Sequence, residues 1–108
     1  MTDLYYIYCR SDERLKELKN CGYVYLFKCG DYYKIGYTEN VERRVEELDR
    51  RPYSLNVLAV SRALLKPHAR TVEQFLHNHF TDYKINGEWY YFDEYTVNRI
   101  VKFLNDIN

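Results

Sequence analysis

At 108 residues, 46% hydrophobic and 30% charged, the chain has the composition of one globular domain with a modest core, which excludes wholesale disorder. Its 16 basic and 16 acidic residues cancel. That balance argues against a protein that merely coats nucleic acid, because phosphate neutralisation calls for a visible basic excess, but it leaves room for a local basic patch facing one phosphate.

Met1-Thr2-Asp3 carries neither a basic n-region nor an apolar h-region, so no secretory signal and an intracellular location are expected. Leu4 to Cys9 reads as either strand or helix, and Ser11 to Asn20 as a short charged helix capped by Ser11. Gly22 to Cys29 alternates and is rich in Tyr, Val and Phe, predicting a strand. Gly30-Asp31 predicts a two-residue hairpin turn, with Tyr32 to Tyr37 as the partner strand. That turn sets Cys29 opposite Tyr32, Leu26 opposite Ile35 and Tyr25 opposite Gly36.

Asn40 caps a helix running to about Asp49 with the stripe Val41, Val45 and Leu48. Pro52 breaks the chain, and Leu55 to Ser61 is a third strand, far too short to span a bilayer. Pro67 suits the first turn of a helix reaching about Phe80. Gly87 punctuates a loop, Glu88 to Phe92 is extended, and Asp93 caps a last helix striped by Val97, Ile100, Val101, Leu104 and Ile107. The sum is an α+β fold, β-β-α-β-α-(β)-α, around a small, mainly antiparallel three-stranded sheet flanked by helices.

Cys9, Cys21 and Cys29 are odd in number and lack a C-x-x-C spacing, which argues against a disulfide framework. The same spacing gives little support to a Cys/His zinc site drawing on His68, His77 or His79. Tyrosine is the anomaly, at 13 residues. Strands and half-buried surfaces account for many tyrosines; a base-stacking surface or a tyrosine-bearing active site is the alternative.

Strand alternation puts Tyr23, Tyr25 and Phe27 on one face, joined across the hairpin by Lys34 and Gly36. Val24, Leu26, Ile35 and Tyr37 take the other face, the expected core. Gly36 opposite Tyr25 either marks a bulge where the strand ends or leaves room for a ligand to approach the backbone. Arg44 lies about 60° from Val41 and about 40° from Leu48 in helical projection, so it flanks the buried stripe, whereas Arg43 points away from it. A held guanidinium suits a phosphate; a surface salt bridge is the expectation for Arg43.

Glu73 lies only about 20° from Phe80 on the stripe of Ala69, Val72 and Leu76. A carboxylate there must be paired, protonated or bound to a metal. Arg44 and Arg70 are the candidate partners, and His77 is its neighbour one turn on.

Taken in order, Gly22-Tyr23-Val24-Tyr25-Leu26, Tyr33-Lys34-Ile35-Gly36-Tyr37-Thr38, Glu42-Arg43-Arg44, Ala69-Arg70-x-x-Glu73-x-x-Leu76-His77-x-x-Phe80 and Gly87-Glu88-Trp89-Tyr90 resemble the GIY-YIG nuclease superfamily. The match is to its divergent branch in phage, viral and fungal proteins, the meiotically up-regulated type. It spans Gly22 to Phe92, so residues 1–20 read as an N-terminal extension and 21–108 as the GIY-YIG-like domain.

The resemblance implies a three-stranded antiparallel sheet and endonucleolytic hydrolysis of DNA, with RNA as second choice, dependent on Mg²⁺ or Mn²⁺. Carried over by position, Tyr25 positions or deprotonates the attacking water, Arg44 contacts the phosphate and Glu73 is the metal ligand. Lys34 stands where the better-known members have a tyrosine; it can contact a phosphate or assist proton transfer, but cannot reproduce a phenol. Tyr23, Gly36, Arg70, His77 and Glu88, or Asn86 in place of Glu88, are the expected supporting or substrate-binding residues. The rival expectation is the same scaffold without turnover, as a nucleic-acid-binding, protein-interaction or viral accessory module. Convergence of Tyr25, Arg44 and Glu73 on one cleft separates the two.

Overall fold

Strands β1 (Cys21–Cys29) and β2 (Tyr32–Thr38) form the antiparallel hairpin that anchors the molecule. The computed structural model describes residues 20–49 and 55–107; the elements expected before Asn20 and the break at Pro52 lie outside them. The hairpin turns at Gly30, whose φ of 62° is open to a residue without a Cβ. The turn length fixes the pairing, and Leu26 opposes Ile35, Tyr25 opposes Gly36 and Cys29 opposes Tyr32, as the sequence predicts.

β3 (Leu55–Val60) pairs antiparallel with the other edge of β1, with an irregularity between Leu26 and Phe27. Ser61 extends this seam: its N–H donates to Val24 O at 2.8 Å and its hydroxyl accepts from Val24 N at 3.0 Å. The sheet is larger than the three expected strands. β4 (Leu64–Leu65) pairs with Cys21 and Gly22, while β5 (Lys84–Asn86) and β6 (Trp89–Tyr90) extend the order to β3-β1-β2-β6-β5. These additions are two or three residues long, too short to show the alternation by which a strand is read from sequence.

Among the described residues, three helices pack on this sheet. α1 (Val41–Leu48) starts at Asn40, whose side chain accepts from Arg43 N at 3.0 Å, and buries Val41, Val45 and Leu48. α2 (Lys66–His79) carries Pro67 in its first turn and buries Ala69, Val72 and Leu76. α3 (Glu94–Asp106) starts at Asp93, which accepts from Thr96 N at 2.7 Å. Val97, Ile100 and Leu104 are buried as expected; Val101 and Ile107 are only partly so, and Thr96 is buried beside them.

One expectation is corrected. Both faces of β1 are core, not only that of Val24 and Leu26. These two join Ile35 and the α2 and α3 stripes in one cluster, while Tyr23, Tyr25 and Phe27 join Val41, Val45 and Leu48 of α1 in a second. β1 lies between β2 and β3, so both its edges are paired, and helices cover both its faces. Each large side chain buried this way contributes about 1.5–3 kcal/mol relative to exposure.

Candidate active site

The phenol of Tyr25 is fully buried under α1, and its oxygen accepts a hydrogen bond from Arg44 Nε at 3.1 Å. Helical phase explains the choice of arginine. Arg44 borders the buried stripe, whereas Arg43 extends into solvent, where it stands 4.0 Å from Glu47. Burial pushes the Tyr25 phenol up from its usual 10.0; Arg44 opposes this, and the carboxylates of Glu88 and Glu73 add to it. The bond to Tyr25 in turn raises Arg44, so the pair is a neutral phenol against a permanent cation.

Gly36 sits opposite Tyr25 in the ladder because no other residue fits there. A Cβ at that point would lie 2.3 Å from the Tyr25 hydroxyl and 2.9 Å from Glu88 Oε1. The phenol and the carboxylate therefore converge on one point above bare backbone. The pairing is regular, not bulged, and the room the missing side chain leaves is taken by Tyr25 and Glu88 themselves rather than left open for a ligand. Glu88 immediately precedes β6, and its carbonyl accepts from Ile35 N at 3.3 Å, which pins it to the rim of the sheet beside β2.

Lys34 is buried, with its Nζ 3.6 Å from Glu88 Oε2 and 5.0 Å from the centre of the Trp89 ring. Ion pair and cation–π contact together hold the amine where the register puts it.

From the other side of the rim comes α2. Glu73 and His77, one turn apart, place Oε2 and Nε2 3.7 Å from each other, and His77 Nδ1 bonds the hydroxyl of Tyr90. Neither Arg44 nor Arg70 pairs with Glu73. Burial, with Glu88 and Glu73 adding, pushes the Tyr90 phenol up to about 12.

Glu73, His77 and Glu88 each offer a ligand atom within 4.8 Å of the others, and all three are part-buried. A hard divalent cation wants carboxylate oxygens and open positions for water and phosphate. Two carboxylates on a half-open rim fit that need.

Tyr25, Arg44, Lys34, Gly36, Glu73, His77 and Glu88 thus form one continuous constellation. The remaining expected residues lie elsewhere. Tyr23 is buried two positions along β1, and Asn86 is an exposed β5 residue paired with Trp89. Arg70 stacks its guanidinium 4.7 Å over the Tyr37 ring and lines a groove of about 410 Å³ with Thr71, Gln74, Phe75 and Asn78. That groove does not include the constellation. Gly22 serves packing, since a Cβ there would lie 2.2 Å from the Tyr37 ring.

Two contacts went unread in the sequence, Trp89 under Lys34 and Tyr90 on His77. The signal for the second was present: Glu88 and Tyr90 are two apart in an extended segment and so share a side, and both meet α2.

The fold is that of a small α+β module, and its family match suggests a nuclease-like or DNA-binding module. The chain matches the T5orf172 domain over residues 22–105 and belongs to that family, which is related to nuclease-type domains of the GIY-YIG and HNH kind. No curated protein and no solved structure matches it. The family points to interaction with nucleic acid, and no helix among the described residues is long and apolar enough to cross a membrane.

Proposed function

We propose that the protein is a divalent-metal-dependent endonuclease of the divergent GIY-YIG branch, hydrolysing phosphodiester bonds in DNA, with RNA the second substrate. One observation carries this reading: Arg44, Tyr25, Gly36, Glu88 and Glu73 come from five separate segments of the chain and meet in one unbroken line. A purely structural role for Arg44 and Glu73 would close them on each other. They instead take different partners, Tyr25 and His77.

Arg44 commits Nε to Tyr25, which leaves its two Nη groups to bind a phosphate in a fixed orientation. The Tyr25 oxygen accepts from Arg44 Nε and keeps its own proton, which it can donate to a water or a phosphate oxygen. A phenol raised by burial is a poor base at neutral pH. Tyr25 therefore orients the attacking water or a phosphate oxygen and does not abstract a proton. Lys34 adds a second fixed cation beside Glu88.

The two carboxylates and two cations balance, so a bound Mg²⁺ or Mn²⁺ makes the site net positive and suited to a phosphodiester. Glu73 would hold that ion, which supplies Lewis-acid polarisation of a phosphate oxygen.

Lys34 in place of a phenol favours a second reading, binding without turnover. One assay separates the two: cleavage of supercoiled, branched and single-stranded substrates with Mg²⁺ or Mn²⁺. The expected result is metal-stimulated cutting that falls about 10²–10³-fold or more in Arg44→Ala and in Glu73→Ala, with both variants folded by circular dichroism. Undiminished cutting by both would discard the mechanism; tight binding without cutting by the wild type would establish the second reading.

A further inference from the structure

We propose that His77 is itself a metal ligand, so that Glu73, His77 and Glu88 form a mixed nitrogen–oxygen centre that selects Mn²⁺ over Mg²⁺. This deepens the metal-dependent reading above and rests on it, but it concerns which atoms hold the ion and so is testable without cleavage.

The argument begins with the spacing on α2. Residues 73 and 77 are one helical turn apart on a shared face, and their ligand atoms stand 3.7 Å from each other. That is too long for an N–H···O hydrogen bond. It suits two donors on one ion, because metal–donor distances of about 2.1 Å put two ligands roughly 3 Å apart at right angles and about 4.2 Å apart at most.

The ring is also oriented as a metal-bound imidazole is. Its inner nitrogen, Nδ1, is taken by the Tyr90 hydroxyl, which leaves Nε2 turned toward Glu73. An outer hydrogen bond on the second ring nitrogen is the usual support of a ligating histidine. Tyr90 is fit for that role: it is fully buried and stacked on Phe92, with ring centroids 5.0 Å and planes 11° apart.

Glu88 completes the set from the rim of the sheet. All three ligand atoms already lie within 4.8 Å of one another. The Glu88 side chain, 41% exposed, is the freest of the three and can close the remaining few tenths of an ångström. Its Oε2 faces Lys34 while Oε1 points over Gly36, so one carboxylate can ligate and stay charge-balanced. An imidazole donor disfavours Mg²⁺, which prefers all-oxygen shells, and suits Mn²⁺ and later divalent ions.

The test uses the full chain and Mn²⁺ as probe. Mn²⁺ binding is followed by the loss of the free-ion electron paramagnetic resonance signal, with Mg²⁺ in competition, and pulsed measurements look for nitrogen coupling to the bound ion. The expected result is Mn²⁺ binding about 10-fold or more tighter than Mg²⁺, with ¹⁴N modulation present. His77→Gln removes the modulation and the Mn²⁺ preference, weakening Mn²⁺ more than Mg²⁺. Tyr90→Phe keeps the modulation and weakens Mn²⁺ by about 10-fold, as loss of an outer partner does.

Bound Mn²⁺ without nitrogen coupling in the wild type overturns the proposal even if His77→Gln fails to fold. In that case Glu73-dependent cleavage survives and the nuclease reading stands. Absence of any divalent-ion binding overturns both.

Discussion

The two faces of β1 are buried alike and do different things. Toward α2 and α3, Val24 and Leu26 are fully enclosed by aliphatic and aromatic neighbours, and the contribution is dry packing. Toward α1, Tyr25 is equally enclosed, yet its ring ends in a hydroxyl that meets Arg44 and whose pKa burial raises against the opposing pull of that arginine. Burial stabilises on one side and sets chemistry on the other, with period-two alternation separating the two tasks within nine residues. Removing side chains from the first face should cost folding; changes on the second should cost function out of proportion to folding.

The largest stability effect is expected from Leu26→Ala, which leaves a cavity in the main core and costs about 2–5 kcal/mol in chemical denaturation. Activity per folded molecule should be unaltered. Next comes Gly36→Ala, whose new methyl must displace the Tyr25 hydroxyl or the Glu88 carboxylate. We expect about 1–3 kcal/mol from overpacking and a fall in cleavage of about 10²-fold from the misplaced groups; wild-type cleavage by this variant would reduce Gly36 to a packing residue.

Tyr25→Phe keeps the ring and removes only the acceptor for Arg44, at about 1 kcal/mol of stability, with a much larger loss of cleavage. The wild-type rate should show no phenolate-linked rise below about pH 10, because burial holds this phenol above its ordinary value. A step in rate near neutral pH that Tyr25→Phe abolishes would reassign Tyr25 as a base.

The smallest effect belongs to Asp93, the exposed cap of α3. Its bonds to Thr96 lower its carboxyl below 3.8 in the folded state. The unfolded chain therefore binds the proton more readily, and the contribution is present above the unfolded value and lost as pH falls through the folded one. The melting difference between wild type and Asp93→Ala should be modest at neutral pH and vanish in strong acid.

The hairpin register was legible because a two-residue turn at Gly30 leaves one way to pair the strands. The starts of α1 and α3 were legible because Asn40 and Asp93 cap through bonds only three residues long. Helical phase separated Arg44 from Arg43 and put His77 beside Glu73. The second buried face, the added strands β4 to β6 and the Tyr90–His77 contact were not legible, because each depends on partners distant in the chain.

Local geometry thus sufficed for everything decided within one strand, one turn or one helix: register, caps, the faces of residues and the order of the motifs. Only the tertiary structure decided that Glu88, pinned to the rim by Ile35, stands between the Tyr25–Arg44 pair on one side and Glu73–His77 on the other. The reason is physical. Periodicity states which way a side chain points from its own backbone, whereas the meeting of two sides at an edge depends on how β6 and α2 pack against β2, which the pattern of no single element contains.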